Sequence, residues 1–464
     1  MISVRRRGAA RLAAAVLASG LVAAGAIVTA GTAAADDAPP SQGGATATLG
    51  GLKTFDKAII HDNGKDQQVG AGLFEMSVDN GGSIQTYCID LHNPTQSKAK
   101  YEEKSWAETS LANNPNAGKI NWVLQNSYPQ VNDLGALAKT AGTGPLTEKT
   151  AAAGTQVAIW RFSDNAKVDA ADPQAEKLAD YLEKSAQNLQ EPKASLSLDP
   201  PAVSGKAGER LGPVKVHTNA DSVTLAPGTE SAGGVKLVDK SGKTLTSATD
   251  GGEVYFDVPE GAADGSATLT AQAATKVPVG RAFASATKSQ TQILAGSSES
   301  TVSATATASW AKKGAVPAVS AEKDCAKGGV DITATNKGDE AFSFELLGQK
   351  YTVEAGQSKT VTAPVKEDQS YKFTISGPNG FEKTFSGVLD CKTSSSGGSS
   401  DTPSSQPSPA SAGGSTGGDT SGGDLAETGS SSNTPMIAGI AVALVVAGGG
   451  AIFFVRKKKA TAGE

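Results

Sequence analysis

Histidine, cysteine and methionine each occur only three times in this 464-residue chain, and aromatic residues make up 5% of it. His61, His92 and His217 are too dispersed to argue for a zinc site, so no metal and no other cofactor is expected. Positive charge is not in excess: 42 Lys and Arg stand against 47 Asp and Glu, a formal net charge of −5. There is no basic stripe with interleaved aromatics, which argues against nucleic acid as a partner. Three cysteines, Cys88, Cys325 and Cys391, are too few for a dense disulfide framework, and any one pairing leaves a thiol over. What is abundant is glycine, 54 residues, together with Ala, Ser and Thr. This composition suits β-modules and linkers in a chain long enough for about two to four domains.

Both ends carry address signals. Arg5, Arg6, Arg7 and Arg11 flank the start of an apolar stretch from Leu12 to about Ala30, and Ala33-Ala34-Ala35 supplies small residues for cleavage after Ala35. That is the pattern of a secretory signal peptide over residues 1–35. Towards the other end, Leu425, Ala426, Glu427, Thr428 and Gly429 precede an apolar run from Met436 to Val455, about the length of a membrane span. Arg456-Lys457-Lys458-Lys459 then holds the tail on the cytoplasmic side.

Pentapeptide, span and basic tail in this order resemble a sortase sorting signal, over residues 425–464. Ala426 stands where the familiar pentapeptide has Pro, a variant similar to substrates of class E sortases in high-GC Gram-positive bacteria, the actinobacteria. The resemblance implies that a sortase thiol attacks the Thr428 carbonyl, Gly429 leaves, and a cell-wall amine resolves the acyl-enzyme. Sortase and peptidoglycan are the partners it implies, with the mature protein in the cell wall and a transient membrane precursor. Without the two removed ends the chain keeps 34 basic and 46 acidic residues, a balance of about −12.

Between the ends the pattern changes several times. Residues 36–50 are small and polar and read as a flexible leader. Residues 51–194 mix strand and helix signals. The segments Gly72–Val78 and Ser83–Ile89 alternate like paired strands about an Asn80-Gly81-Gly82 turn, which puts Cys88 near a strand end. Helices are expected from Lys119, over Leu146–Phe162, and over Ala171–Leu189 with Asp172 and Pro173 as cap and first residue. Short alternating strands over 195–315 read as a β-sandwich, and period-two segments over 316–392 as a second, Ig-like one. Residues 393–424, rich in Ser, Gly, Thr and Pro, read as a disordered wall-spanning linker. The expected fold is therefore multidomain and mainly β: an N-terminal mixed α/β domain, two Ig-like β-sandwich modules, a linker and a C-terminal transmembrane helix.

Cys325 and Cys391 stand at the two ends of the 316–392 module, each directly after an Asp. A disulfide between them would clamp its termini, and chain entropy assigns roughly 4 kcal/mol to a closed loop of that length. Cys88 is left over, within Tyr87-Cys88-Ile89-Asp90. A second segment, Thr155-Gln156-Val157-Ala158-Ile159-Trp160, places a carboxamide on the expected helix.

These two segments resemble the paired motifs of the thioester (TQxA) domain of Gram-positive surface adhesins, across about residues 50–195. The resemblance implies that the Cys88 thiol condenses with the Gln156 carboxamide and ammonia leaves, so that an internal thioester remains to capture an amine-bearing surface ligand. Capture is a single turnover, so no enzyme is implied. Two other readings are open to the residues alone. One is a non-covalent structural or glycan-binding wall protein in which Cys88 is a small buried hydrophobe. The other is a thiol hydrolase using Cys88 and His92, for which the strand end and the following Asn93-Pro94 provide no papain-like setting.

Overall fold

The computed structural model describes residues 43–392, apart from residue 63 and residues 229–233. Ala35, the linker 393–424, the pentapeptide Leu425 to Gly429 and the expected span 436–455 lie outside the described residues. No described helix is long and apolar enough to cross a membrane.

The first domain opens with β1 (Thr46–Asp62), β2 (Lys65–Val78), β3 (Ser83–Cys88) and β4 (Lys100–Lys104). Residues 36–50 are thus not wholly a leader: Ala45, Ala47 and Leu49 alternate into the core, and this period draws residues 46–50 into β1. The expected Asn80-Gly81-Gly82 turn joins β2 to β3, and all three residues have positive φ. Helices α1 (Ala117–Gln125), α2 (Leu134–Ala141) and α3 (Glu148–Ser163) follow, then β5 (Val168–Ala170) and α4 (Pro173–Ser185). Asp172 caps α4 by accepting from Gln174 and Ala175, with Pro173 in the first turn.

Beyond α4 the chain builds β6 (Leu196–Asp199), β7 (Ala202–Lys206), β8 (Arg210–Thr218), β9 (Val223–Pro227), β10 (Lys236–Val238), β11 (Ser247–Ala248), β12 (Glu253–Asp257) and β13 (Gly265–Lys276). After these come β14 (Ala282–Ser285), β15 (Gln292–Ser297) and β16 (Glu299–Ala311). Two sheets form here, of order β10-β12-β8-β6 and β11-β9-β13-β16-β7. Their strands turn alternate residues inward, as in Val214/Val216, Val254/Phe256 and Ala304/Ala306/Ala308.

The hairpin of β14 and β15 does not belong to either sheet. It emerges from the far end of the long β13–β16 ribbon and enters the first domain, where β15 pairs with β3 and β14 with β4. Because β1 pairs with both β2 and β4, six strands close on themselves in the order β1-β2-β3-β15-β14-β4. Closure removes two sheet edges that would otherwise be left unpaired. A boundary at residue 195 therefore separates the helices from the sandwich but does not separate the sheets. Neither strand alternates, since β14 is buried throughout and β15 at all but its last residue, and their partners lie some 200 positions upstream.

A buried ion pair fastens this interleaving. Glu103 of β4 accepts from Arg281 Nε at 2.9 Å, from the backbone N–H of Ser195 at 2.9 Å and from that of Ala45 at 3.2 Å. Arg281 also meets Glu191 in the α4–β6 connection. The first strand, the connection and the hairpin thus converge on one carboxylate that is almost fully buried.

The last module comprises β17 (Pro317–Asp324), β18 (Gly329–Asn336), β19 (Phe342–Leu346), β20 (Gln349–Val353), β21 (Ser358–Pro364), β22 (Ser370–Ser376) and β23 (Glu382–Val388). These form a three-stranded sheet, β17-β18-β21, and two hairpins around a core that includes Ile332, Phe342, Phe344 and Ile375. Cys325 and Cys391 are joined by a disulfide, with Cα atoms 5.2 Å apart. The bridged end rests on the first domain: Cys325 N–H donates to the Ala107 carbonyl at 3.1 Å, and Asn113 Nδ2 donates to the Cys325 carbonyl at 3.1 Å. A core this small gains much from a clamp. The Cys325→Ser, Cys391→Ser double variant should lose roughly 4 kcal/mol in the unfolding transition of this module, measured in denaturant; an unchanged midpoint contradicts this role.

Candidate functional site

Helix α3 carries the carboxamide, and its sequence explains its position. Ala151-Ala152-Ala153-Gly154 offers almost no side-chain bulk, so neighbours close on the helix from every direction, and 12 of its 16 residues are buried. Gly154 is required there: a Cβ would lie 2.4 Å from the Ala175 carbonyl oxygen of α4. Thr147 caps the helix by accepting from the Thr150 N–H, which fixes the start of a helix that holds Gln156 wholly inside the protein.

Cys88 lies at the end of β3 with the same complete burial. The two residues, 68 positions apart in sequence, meet directly. Cys88 N–H donates to Gln156 Oε1 at 3.0 Å, and Gln156 Nε2 donates to the Cys88 carbonyl at 2.9 Å. The carboxamide is therefore docked in both directions on the peptide of the cysteine itself. The thiol sulfur accepts from the Trp160 indole Nε1 at 3.3 Å and from the Asp90 backbone N–H at 3.4 Å. Cys88 is the free cysteine among the described residues.

Neighbouring polar groups find their partners within the protein. Tyr87 donates its hydroxyl to the Tyr128 carbonyl at 2.8 Å, and Thr155 donates to the Ala151 carbonyl at 2.8 Å, a bond internal to the helix. The Asp90 carboxylate takes the Asn93 side-chain amide. The hairpin supplies two residues that the sequence alone does not single out: Gln290 donates to the Asp90 carbonyl at 2.6 Å, and Gln292 accepts from Thr86 at 3.1 Å. Gln292 is the register partner of Cys88. Asp164, just past α3, was also not apparent as a site residue; its Oδ1 accepts from the Leu91 N–H at 3.0 Å. A sequence signal exists for it, since Gln156, Trp160 and Asp164 recur every four residues and share a helix face.

Burial dominates the electrostatics. It pushes the Cys88 thiol well above its ordinary pKa, the Asp164 charge adds to the shift, and the two N–H donors oppose it. The thiol thus stays protonated at neutral pH, and its two partners are donors that cannot accept its proton. His92, whose imidazole is driven towards the neutral form by burial, is not among the sulfur's partners. A Cys-His nucleophile therefore has no geometric support. Burial also lifts the Asp164 carboxyl to about 7, against the lowering effect of bonds from Ser163 and Leu91.

One comparison with known proteins covers the stretch that holds these residues. The family described as thioester domain matches residues 85–188. The site lies within the stretch that the thioester-domain family matches. Both of its key residues fall inside the matched stretch, and the barrel that supports them extends beyond it to residue 297. A second match, to the bacterial phospholipase C, C-terminal domain, covers residues 317–388, the last module. Among solved structures, the chain is similar to the Bacillus anthracis TIE protein, with 15% identity over 76% of this chain and 81% of that one and a TM-score of 0.28. It is also similar to the thioester domain of the Enterococcus faecium TIE86 protein, with 16% identity over 58% and 97% and a TM-score of 0.26. A third likeness is to the N-terminal thioester domain of a surface protein from Clostridium perfringens, with 22% identity over 31% and 87% and a TM-score of 0.20. No curated protein matches the chain.

The Asp164 carboxyl makes the stability of the first domain depend on pH. Folded, it holds its proton to about pH 7; unfolded, it loses it near its ordinary value of 3.8. The native state therefore binds more protons between these values, and stability from this group falls as pH rises through them. Asp164→Asn cannot ionise, so its stability relative to the wild type should improve from pH 5 to pH 8. Thermal melts of both proteins at the two pH values check this; a difference independent of pH contradicts it.

Proposed function

We propose that this chain is a surface adhesin that captures its partner covalently, through an internal thioester between Cys88 and Gln156. The observation that carries the reading is the two-way docking of the Gln156 carboxamide on the Cys88 peptide, with both side chains fully buried, inside a thioester domain.

The chemistry follows from that docking. Cys88 Sγ attacks Gln156 Cδ, a C–S bond forms, and negative charge develops on Oε1. The Cys88 N–H already bonded to Oε1 is placed to stabilise that charge. The C–N bond then breaks, and ammonia departs with the thiol proton. Fixing the two groups in one fold is worth an effective molarity of about 10⁵ M or more. Capture runs through the same carbon: a partner's amine attacks Cδ, Cys88 leaves as the thiol, and an amide remains. Complete burial protects the bond from water, and it also means that an incoming amine needs a local opening to reach it.

The address signals at the two ends fit this activity. A secretory signal ending at Ala35 and a sortase signal at Leu425, Ala426, Glu427, Thr428 and Gly429 would export the chain and join Thr428 to peptidoglycan. The thioester domain would then face outward, the two β-modules would act as spacers, and residues 393–424 would cross the wall. The partner is a molecule bearing a reactive amine, such as a protein lysine. One event consumes the bond, so the protein acts once and does not turn over.

Incubation of the purified protein with a fluorescent primary amine should label the wild type stably to denaturation. Cys88→Ala and Gln156→Ala should remain unlabelled while keeping native circular dichroism. Equal labelling of the Cys88→Ala variant would sink the covalent mechanism and favour a non-covalent wall protein.

A further inference from the structure

The geometry points to Asp164 as a positioning residue of the Cys88–Gln156 reaction: it is the last rung of a polar stripe, Gln156–Trp160–Asp164, that holds residues 88–91 in place. The inference rests on the covalent reading above.

The three side chains stand four residues apart along α3 and its C-cap, so they rise on one face. Each takes a different part of the same short segment. Gln156 holds the Cys88 peptide, Trp160 holds the Cys88 sulfur, and Asp164 holds the Leu91 N–H. The segment needs the third hold. Ladder bonding between β3 and β15 continues only as far as Ile89, whose N–H donates to the Thr291 carbonyl. The next N–H, of Asp90, turns to the sulfur, and that of Leu91 goes to Asp164. Leu91 is buried, so without Asp164 its N–H would have no replacement from water. Ser163 donates to the other carboxylate oxygen at 2.6 Å, which fixes the rotamer. With Asp164 in place, the cysteine is pinned from both sides of its Cα. Without it the segment can turn Sγ away from Gln156 Cδ, and loss of alignment between reacting atoms is costly.

An ionised carboxylate is the stronger acceptor for Leu91. The hold should tighten as the carboxyl, lifted by burial to about 7, loses its proton. Titratable groups on the packed elements are Cys88, Asp90 and His92 on the segment itself, Lys119 of α1, which lies over the Phe162 ring, and Arg161 on the same helix. Cys88 titrates far above this range and His92 below its ordinary value. Arg161 stays charged throughout, engaged by Asp169, Glu176, Asp180 and Glu183.

The test uses the full chain and two variants. Capture of labelled methylamine is followed from pH 5.5 to 8.5, with each rate divided by the free-base concentration. The closed fraction is read separately, as the share of Cys88 that resists maleimide in guanidinium at mildly acidic pH. The wild type should show a rise in corrected rate through about pH 7. Asp164→Asn keeps an acceptor for Leu91 but cannot ionise; it should retain the closed fraction and lose the rise. Asp164→Ala should lower the closed fraction by about tenfold. A merely structural Asp164 would lower the melting temperature of the alanine variant and leave the pH profile of the asparagine variant like that of the wild type, which overturns the inference. So does a full closed fraction in Asp164→Ala. A wild type with no closed fraction overturns the covalent reading itself, a result distinguishable from both.

Discussion

Two hydrogen bonds between a glutamine side chain and the backbone of a cysteine organise the first domain. A carboxamide excluded from water must have all its bonding needs met inside the protein. Here the Cys88 peptide gives each end of the carboxamide one partner, at 3.0 Å and 2.9 Å. Much of the surrounding structure serves that contact. An alanine-rich helix with Gly154 against α4 allows neighbours to close around α3, so that a polar side chain can sit at its centre with no exposure. Trp160, itself buried, then places its indole N–H on the sulfur.

The same constraint accounts for the interleaved topology. Strand β3 brings Cys88 to the site, and a strand end left open there would admit water to the thiol. Instead the β14–β15 hairpin, carried in on the β13–β16 ribbon, pairs Gln292 against Cys88 and closes the barrel. The sandwich is thus more than a spacer beside the reactive domain, because it contributes two of the strands enclosing the site. Removing one charge from a buried pair costs about 3–5 kcal/mol because the other is left unpaired, so Glu103 and Arg281 tie the insertion to β4 by needing each other. The disulfide-bridged end of the last module lies against the same domain, through Ala107 and Asn113.

Much of the local structure was legible in the sequence. Asn80-Gly81-Gly82 announces its turn and Asp172-Pro173 its helix, and the region 146–162 reads as the helix that spans Glu148–Ser163. Cys88 and Gln156 could be singled out through a resemblance, though nothing in a separation of 68 residues predicts that they touch. Other features depend on partners distant in the chain. Residues 282–297 hold two strands with no alternation to read, because the pairing with β3 and β4 buries them on both faces. Ala45 and Ala47 look like leader residues because small apolar side chains give a faint alternation. Asp164 follows a helix end and resembles a solvent-facing cap, and only the bond to Leu91 reveals its place. Helix α2 is not among the expected helices although Leu134, Leu137, Ala138 and Ala141 share one face between an Asp133 cap and Gly142, because eight residues give that pattern only two turns in which to show.

The central claim is that Cys88 and Gln156 are joined by a bond that has expelled ammonia. Intact mass spectrometry of the purified wild type, beside Gln156→Ala, tests it most directly. The account predicts a wild-type deficit of about 17 Da from the calculated mass, abolished by prior reaction with methylamine and absent from the variant. A wild type at its full calculated mass, with Cys88 titrating as one free thiol after unfolding, would contradict it.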